Sequence, residues 1–317
     1  MTRHLVHRLA ETLVVLAAMS LVFYALIALM PGDPIDIMVQ ADPKLTPADA
    51  ARLKALYGLD RPILVRYGNW LQAALGGDLG YSRIHARPVL EIMLPRLANT
   101  FVLMGLSLAL ALALALPLGI YAALRQHATV DNLINLSCFA GISIPPFWLA
   151  LMLIILFAVI LGWLPASGMF TIGDGGLGDR LQHLVLPVAT LTLASVGAYT
   201  RFLRAAVIET MRHDFIRTAR AKGAGEVRVV LGHALRNALI PLVTIVGLSF
   251  GGLFSGALIT EIMFAWPGMG KMIYDAIMGN DFNLALAGLL FATLMTLVGN
   301  LLADLGVTWL DPRIVVR

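Results

Sequence analysis

The chain has 317 residues, of which 59% are apolar (AVILMFWYC) and only 13% are charged (DEKR). A soluble domain carries about a quarter charged residues, so an ordinary cytosolic enzyme and a disordered polymer are both excluded, and a membrane protein is expected. The charge is also unevenly spread: residues 132–173 contain no Asp, Glu, Lys or Arg. The excess of 23 Lys+Arg over 19 Asp+Glu reads as basic cytoplasmic loops, and no nucleic-acid partner is expected. The single cysteine, Cys138, excludes an internal disulfide and reads as a small packing residue.

Six charge-poor runs are long enough to cross a bilayer as helices. They cover about 12–30, 101–124, 134–161, 184–199, 239–260 and 284–303. The first follows a basic start, Met1-Thr-Arg-His-Leu-Val-His-Arg8, as a signal peptide does. Its apolar run exceeds a typical signal core and ends at Pro31-Gly-Asp-Pro34 without a small-residue cleavage site, so a retained helix is expected. Thirteen of the 23 basic residues fall in the two tails and the connections at 125–131 and 201–237. The opposite short loops hold only Arg180 and Lys271. This asymmetry places both termini and the 201–237 loop in the cytoplasm. Pro117, Pro145-Pro146, Pro187 and Pro241 interrupt four of the runs, so kinked helices are expected.

Residues 31–98 are too long for a simple connection. Thr46-Pro47-Ala48-Asp49 has the pattern of a helix start, and Leu53, Leu56 and Tyr57 follow at helical spacing before Gly58. A second amphipathic helix is expected at about 63–75, closed by Gly76-Gly77-Asp78. The segment is expected to form a small external cap.

The largest cytoplasmic loop carries Asp214-Phe-Ile-Arg-Thr-Ala-Arg-Ala-Lys-Gly223, then His233-Ala-Leu-Arg-Asn-Ala-Leu-Ile-Pro241. Phe215, Ile216 and Ala219 form an apolar patch on a short helix, with Arg217, Arg220 and Lys222 around it. Gly223 can end that helix in a left-handed conformation. Such a helix needs something to dock into, either lipid headgroups or a groove on a soluble partner.

This loop resembles the cytoplasmic coupling segment of ATP-binding-cassette (ABC) importer permeases, and in particular the dipeptide/oligopeptide/nickel permease family. The general permease pattern has Glu-Ala-Ala, three residues, then Gly. Here Arg217-Thr218-Ala219 precedes Gly223, so the acid is absent while the helix–glycine spacing is kept. The resemblance runs along the whole chain, through Pro31-Gly-Asp-Pro34, Tyr57-Gly-Leu-Asp-Arg-Pro62, Gly77-Asp-Leu-Gly-Tyr-Ser82, Pro145-Pro-Phe-Trp148, Glu261-Ile-Met-Phe-Ala-Trp-Pro-Gly-Met-Gly270 and Asp311-Pro-Arg313. It is greatest to the first of the two permeases in peptide importers.

The resemblance implies an all-α, six-span, type I ABC importer transmembrane domain in the bacterial inner membrane. It implies a half-channel for di- or oligopeptides, paired with a second homologous permease. Two cytoplasmic ATPases would carry the ATP and Mg, with no cofactor on this chain. A periplasmic or lipid-anchored solute-binding protein would deliver the substrate. Nickel complexes, glutathione and oligosaccharides are the alternative cargoes of the family. Phe215, Arg217, Ala219, Arg220, Ala221, Lys222 and Gly223 are the expected ATPase-coupling residues. On this reading residues 1–30 are a cytoplasmic tail and first span, and 31–98 the external segment. Residues 99–308 form a five-helix core with the coupling helix at 214–223, and 309–317 a cytoplasmic tail.

Other chemistry finds little support. Gly268-Met-Gly-Lys271 lacks the first glycine and the following Ser/Thr of a phosphate loop. Gly247-Leu-Ser-Phe-Gly251 matches a nucleophile-elbow pattern, but falls mid-span where no strand precedes it. Gly247, Ser249, Gly251, Gly252, Ser255 and Gly256 are instead read as helix-packing or pathway residues, because small side chains let membrane helices approach closely. The seven histidines form no metal-ligand array. A secondary carrier would need an ionisable group deep in the bundle, and Glu11, Glu261 and Asp304 fall near span ends.

Overall fold

The computed structural model of the protein describes residues 2–29, 46–56 and 60–310, except for the side chains of 2–6, 47, 50, 53, 56, 248–256 and 309–310. The Pro31-Gly-Asp-Pro34 and Asp311-Pro-Arg313 motifs, Gly58 and the tail at 311–317 lie outside the described residues.

Apolar runs become long helices. Helix α1 covers Thr2–Ala28, followed by α2 (Pro47–Leu56) and α3 (Ile63–Leu75). A two-stranded antiparallel hairpin, β1 (Tyr81–Ser82) and β2 (Arg87–Pro88), leads into α4 (Val89–Leu124). Next come α5 (Thr129–Ser143) and α6 (Pro146–Leu153), which continues as a π-helical stretch at Ile154–Ile160. Helix α7 (Leu177–Thr210) is followed by α8 (Asp214–Ala221), α9 (Glu226–Arg228) and a second π-helical stretch, Val229–Ala234. Helices α10 (Leu235–Met263), α11 (Met269–Met278) and α12 (Phe282–Leu310) complete the described chain. Among the described residues, five helices are long and apolar enough to cross a membrane, or six if the bent α5–α6 pair is one span. The fold is thus an all-α membrane architecture with one minimal β-hairpin.

Two expectations change. The run at 134–161 is not one continuous helix: α5 and the α6 region meet at about 100°. Pro145 has no N–H to extend the ladder and Pro146 sits at the first position of α6, so the helix ends and restarts there. The run at 184–199 extends to the 34-residue α7. Residues 201–210, assigned above to a cytoplasmic loop, are therefore helical.

The chain divides into two compact units, residues 1–97 with 272–294, and residues 98–271 with 295–317. In the first unit, Tyr24 of α1 meets Tyr67 and Trp70 of α3 at ring centroid distances of 5.6 and 5.9 Å. The Ser20 and Tyr67 hydroxyls lie 2.7 Å apart. Helix α2 opens on a reciprocal cap: Thr46 donates from both N–H and hydroxyl to Asp49, and the Asp49 N–H donates back to the Thr46 hydroxyl. The Thr46 hydroxyl bond holds the Asp49 carboxyl below its ordinary value. The β-hairpin is anchored on buried Asp281, which accepts from the Ser82 hydroxyl and the Ile84 N–H. Asp281 also caps α12 through the Leu284 N–H.

The second unit packs α7 against α5 and α10. Its core joins Ala111, Ala115 and Ala123 of α4 to Tyr199, Leu203 and Val207 of α7 and to Ala238 and Leu242 of α10. The Leu/Ala alternation of α4 explains this. Ala111, Ala115 and Ala122 are buried while Leu106, Leu110, Leu114 and Leu118 are exposed, so small residues face the bundle and large ones face outward, as lipid requires. Gly197 of α7 lies so close to α5 that an added Cβ would sit 2.7 Å from the Cys138 carbonyl oxygen. Gly197→Val is expected to cost about 1–3 kcal/mol, read as a lower unfolding midpoint of the detergent-solubilised chain. An unchanged midpoint would show that α5 and α7 are not in close contact.

At the far end of α10, the turn 264–268 is clamped to α4. Asn99 donates its side-chain amide to the Pro267 carbonyl at 2.8 Å, and the Trp266 indole N–H donates to the Asn99 carbonyl at 3.2 Å. Buried Glu261 accepts from the Thr100 hydroxyl at 2.5 Å and from the Lys271 N–H at 3.0 Å. The Met269 N–H donates to the Thr100 hydroxyl oxygen at 2.8 Å.

Candidate coupling site

Helix α8 and the chain that returns behind it form one small folded unit. His213, extended at φ −71° and ψ 151°, ends the link from α7 and lets α8 begin. Asp214 in the first turn and Arg220 in the last complement the helix dipole. The helix ends at Gly223, with φ +80°. The Gly223 N–H donates to the Arg220 carbonyl at 2.9 Å, and the Ala224 N–H donates to the Ala219 carbonyl at 3.1 Å. These two bonds make a complete Schellman stop, which needs the left-handed residue that glycine supplies.

The apolar patch read from the sequence is split by the fold. Ile216 and Ala219 turn inward and pack with Val229, Ala234, Met211 and Ala224. They hold α8 against its own chain. Phe215 points outward, 42% exposed, with the His213 ring stacked 5.6 Å away. Arg217, Ala221, Lys222 and Gly223 are also exposed. Arg217 makes a loose 3.5 Å pair with Asp214, both largely in solvent. Arg220 instead forks onto Glu226 of α9, at 2.9 and 3.1 Å, and that bond raises the Arg220 guanidinium above its ordinary value.

Helix α7, which carries α8 at its end, is tied to α5 at two further points. Arg204 makes a bidentate pair with Asp131, at 2.7 and 2.6 Å. Arg201 lies 4.1 Å from the centre of the Phe139 ring. Asp131 also accepts from the His127 N–H and the Asn135 amide, so it organises the turn between α4 and α5. The pair is not apparent in the sequence, where Arg204 falls within the 201–237 connection. The available signal was an acid in the first turn of a helix, next to a basic helix end.

Of the packing or pathway candidates, Gly247 is buried, and a Cβ there would collide with Ala303 of α12. It is a close-packing position. The side chains of Ser249, Gly251, Gly252, Ser255 and Gly256 lie outside the described residues, although their backbone belongs to α10. Gly247-Leu-Ser-Phe-Gly251 is therefore entirely helical and lacks the strand a nucleophile elbow needs.

Residues 115–316 match the family described as binding-protein-dependent transport system inner membrane component, and residues 1–104 match the N-terminal component of the same system. The chain belongs to this permease family. It is similar to the oligopeptide transport system permease protein AppB of Bacillus subtilis, at 36% identity over 99% of both chains. It is also similar to a putative peptide permease of Brucella suis, at 36% identity over all of both chains. The dipeptide transport system permease DppB of Alkalihalophilus pseudofirmus is 35% identical over 99% of both chains. The fold is accordingly that of a type I ABC importer permease, a multi-pass membrane subunit and a non-catalytic component of transport.

Proposed function

We propose that the chain is one half of the translocation path of an ATP-driven peptide importer in the bacterial inner membrane. The observation that carries this reading is end-to-end similarity to permeases named for dipeptides and oligopeptides. Both termini and α8 face the cytoplasm on this reading, supported by the concentration of basic residues there. A second, related permease completes the path, and a solute-binding protein outside the cell presents the peptide. Two ATPases bind ATP and Mg on the cytoplasmic face.

Coupling runs through the α8 segment. Phe215 supplies the exposed apolar side chain, flanked by His213, Arg217 and Lys222. A groove on the ATPase that covers the exposed part of Phe215, under half of its surface, gains about 1 kcal/mol. Rigid movement of the ATPases then displaces α8, and with it α7, between two arrangements of the membrane helices.

Phe215→Asp is expected to weaken ATPase association by at least about tenfold, the equivalent of 1.4 kcal/mol, and to abolish ATP-dependent uptake while membrane insertion is unchanged. Gly223→Asp strains the left-handed stop and is expected to reduce uptake as well. Normal association and uptake in both variants, measured by co-purification and in vesicles, would remove α8 as the coupling element.

A further inference from the structure

The four charged side chains of the α8 segment with a described ion-pair partner are held in two different ways. Arg217 and Asp214 meet at 3.5 Å on one helix and are 77% and 94% exposed. Arg220 reaches across the Gly223 stop to Glu226, with Nε donating to Oε1 at 2.9 Å and Nη2 to Oε2 at 3.1 Å. That fork–fork geometry uses both carboxylate oxygens and fixes a direction as well as a distance. It spans the turn between the end of α8 and the first residue of α9. Ile216, Ala219, Val229 and Ala234 close the same turn from the inside.

We propose that Arg220 is a positioning residue rather than an ATPase contact. With Glu226 it forms a clasp that fixes the angle of α8 on the returning chain, and so fixes how Phe215 is presented. The proposal rests on the coupling role of α8 given above. Its physical content is preorganisation: a helix already held at the docking angle loses less freedom when it docks. An exposed pair contributes little by itself, but reversing one charge replaces attraction with repulsion at the same place.

The test uses the complete transporter in proteoliposomes, with peptide uptake measured per ATP hydrolysed. The variants are Arg220→Glu, Glu226→Arg and the double swap Arg220→Glu/Glu226→Arg, with Phe215→Asp alongside. Each single reversal is expected to lower uptake per ATP by about fivefold, the equivalent of about 1 kcal/mol. The double swap is expected to recover it to within about twofold of the parent. A double swap as impaired as Arg220→Glu alone, or a silent Glu226→Arg beside an impaired Arg220→Glu, would make Arg220 a direct contact and overturn the proposal. If both single reversals are silent while Phe215→Asp is impaired, the clasp fails and the coupling role of α8 stands. If Phe215→Asp is silent too, the coupling role fails with it.

Discussion

Glu261→Ala is expected to destabilise the second unit by about 3–5 kcal/mol. The carboxylate is fully buried. It accepts from the Thr100 hydroxyl and the Lys271 N–H, and Thr100 in turn receives the Met269 N–H. Each buried donor left without its acceptor costs about 1–3 kcal/mol, and bonds to charged groups lie at the upper end. Two donors are stranded at once, and the methyl group leaves a void. Two glycines make room for the packing of this turn: a Cβ at Gly268 would overlap the Glu261 side chain, and one at Gly270 would lie 2.6 Å from the Leu258 Cα. Gly268→Ala is therefore expected to damage the same turn, whereas Glu261→Gln keeps one acceptor and costs less. Thermal unfolding of the detergent-solubilised chain checks this. A Glu261→Ala midpoint within error of the parent would contradict the buried hydrogen-bond network.

The second large effect is expected at Asp131 and Arg204. Asp131 is 2% exposed and Arg204 22%, so the pair is shielded on one side and its geometry is bidentate. Removing one partner leaves the other charge buried and costs about 3 kcal/mol or more. Asp131→Ala should be the more harmful, because it also removes the acceptor for the His127 N–H and the Asn135 amide. In a double-mutant cycle the two alanine substitutions should be strongly non-additive, with a coupling of at least about 1.5 kcal/mol. The pair ties α5 and the α4–α5 turn to the helix that bears α8. Loss of the pair is therefore expected to lower uptake per ATP as well as stability. Additive stability losses, with no change in uptake per ATP, would show that the two helices are not joined there.

The membrane helices were legible because apolar runs of this length have few other uses, and their centres fall where the runs do. Their ends were not. Arg201 and Arg204 looked like loop residues, yet α7 continues through them because Phe139 and Asp131 of α5 supply partners. Pro145-Pro146 signalled a kink; that it breaks the span at about 100° depends on packing around α6, where Ala150 meets Leu186 and Phe264. The α8 segment was legible as a helix with a glycine stop. Its faces were harder to assign. Phe215, Ile216 and Ala219 are neighbours on the helix, and only the return of Val229 and Ala234 decides which are covered. In the sequence Glu261 sits at the end of the 239–260 run. Nothing local marks it as buried, since its partner Thr100 lies 161 residues away.

On the proposed reading, this permease moves peptides only when ATPases act on it through α8. The most direct measurement is purification of the tagged chain from its native membrane in mild detergent, followed by peptide uptake in reconstituted vesicles with and without ATP. Recovery of a second permease and two ATPases, with uptake that requires ATP and is lost in Phe215→Asp, is the expected result. Recovery of the chain alone, still transporting peptide without ATP, would contradict it.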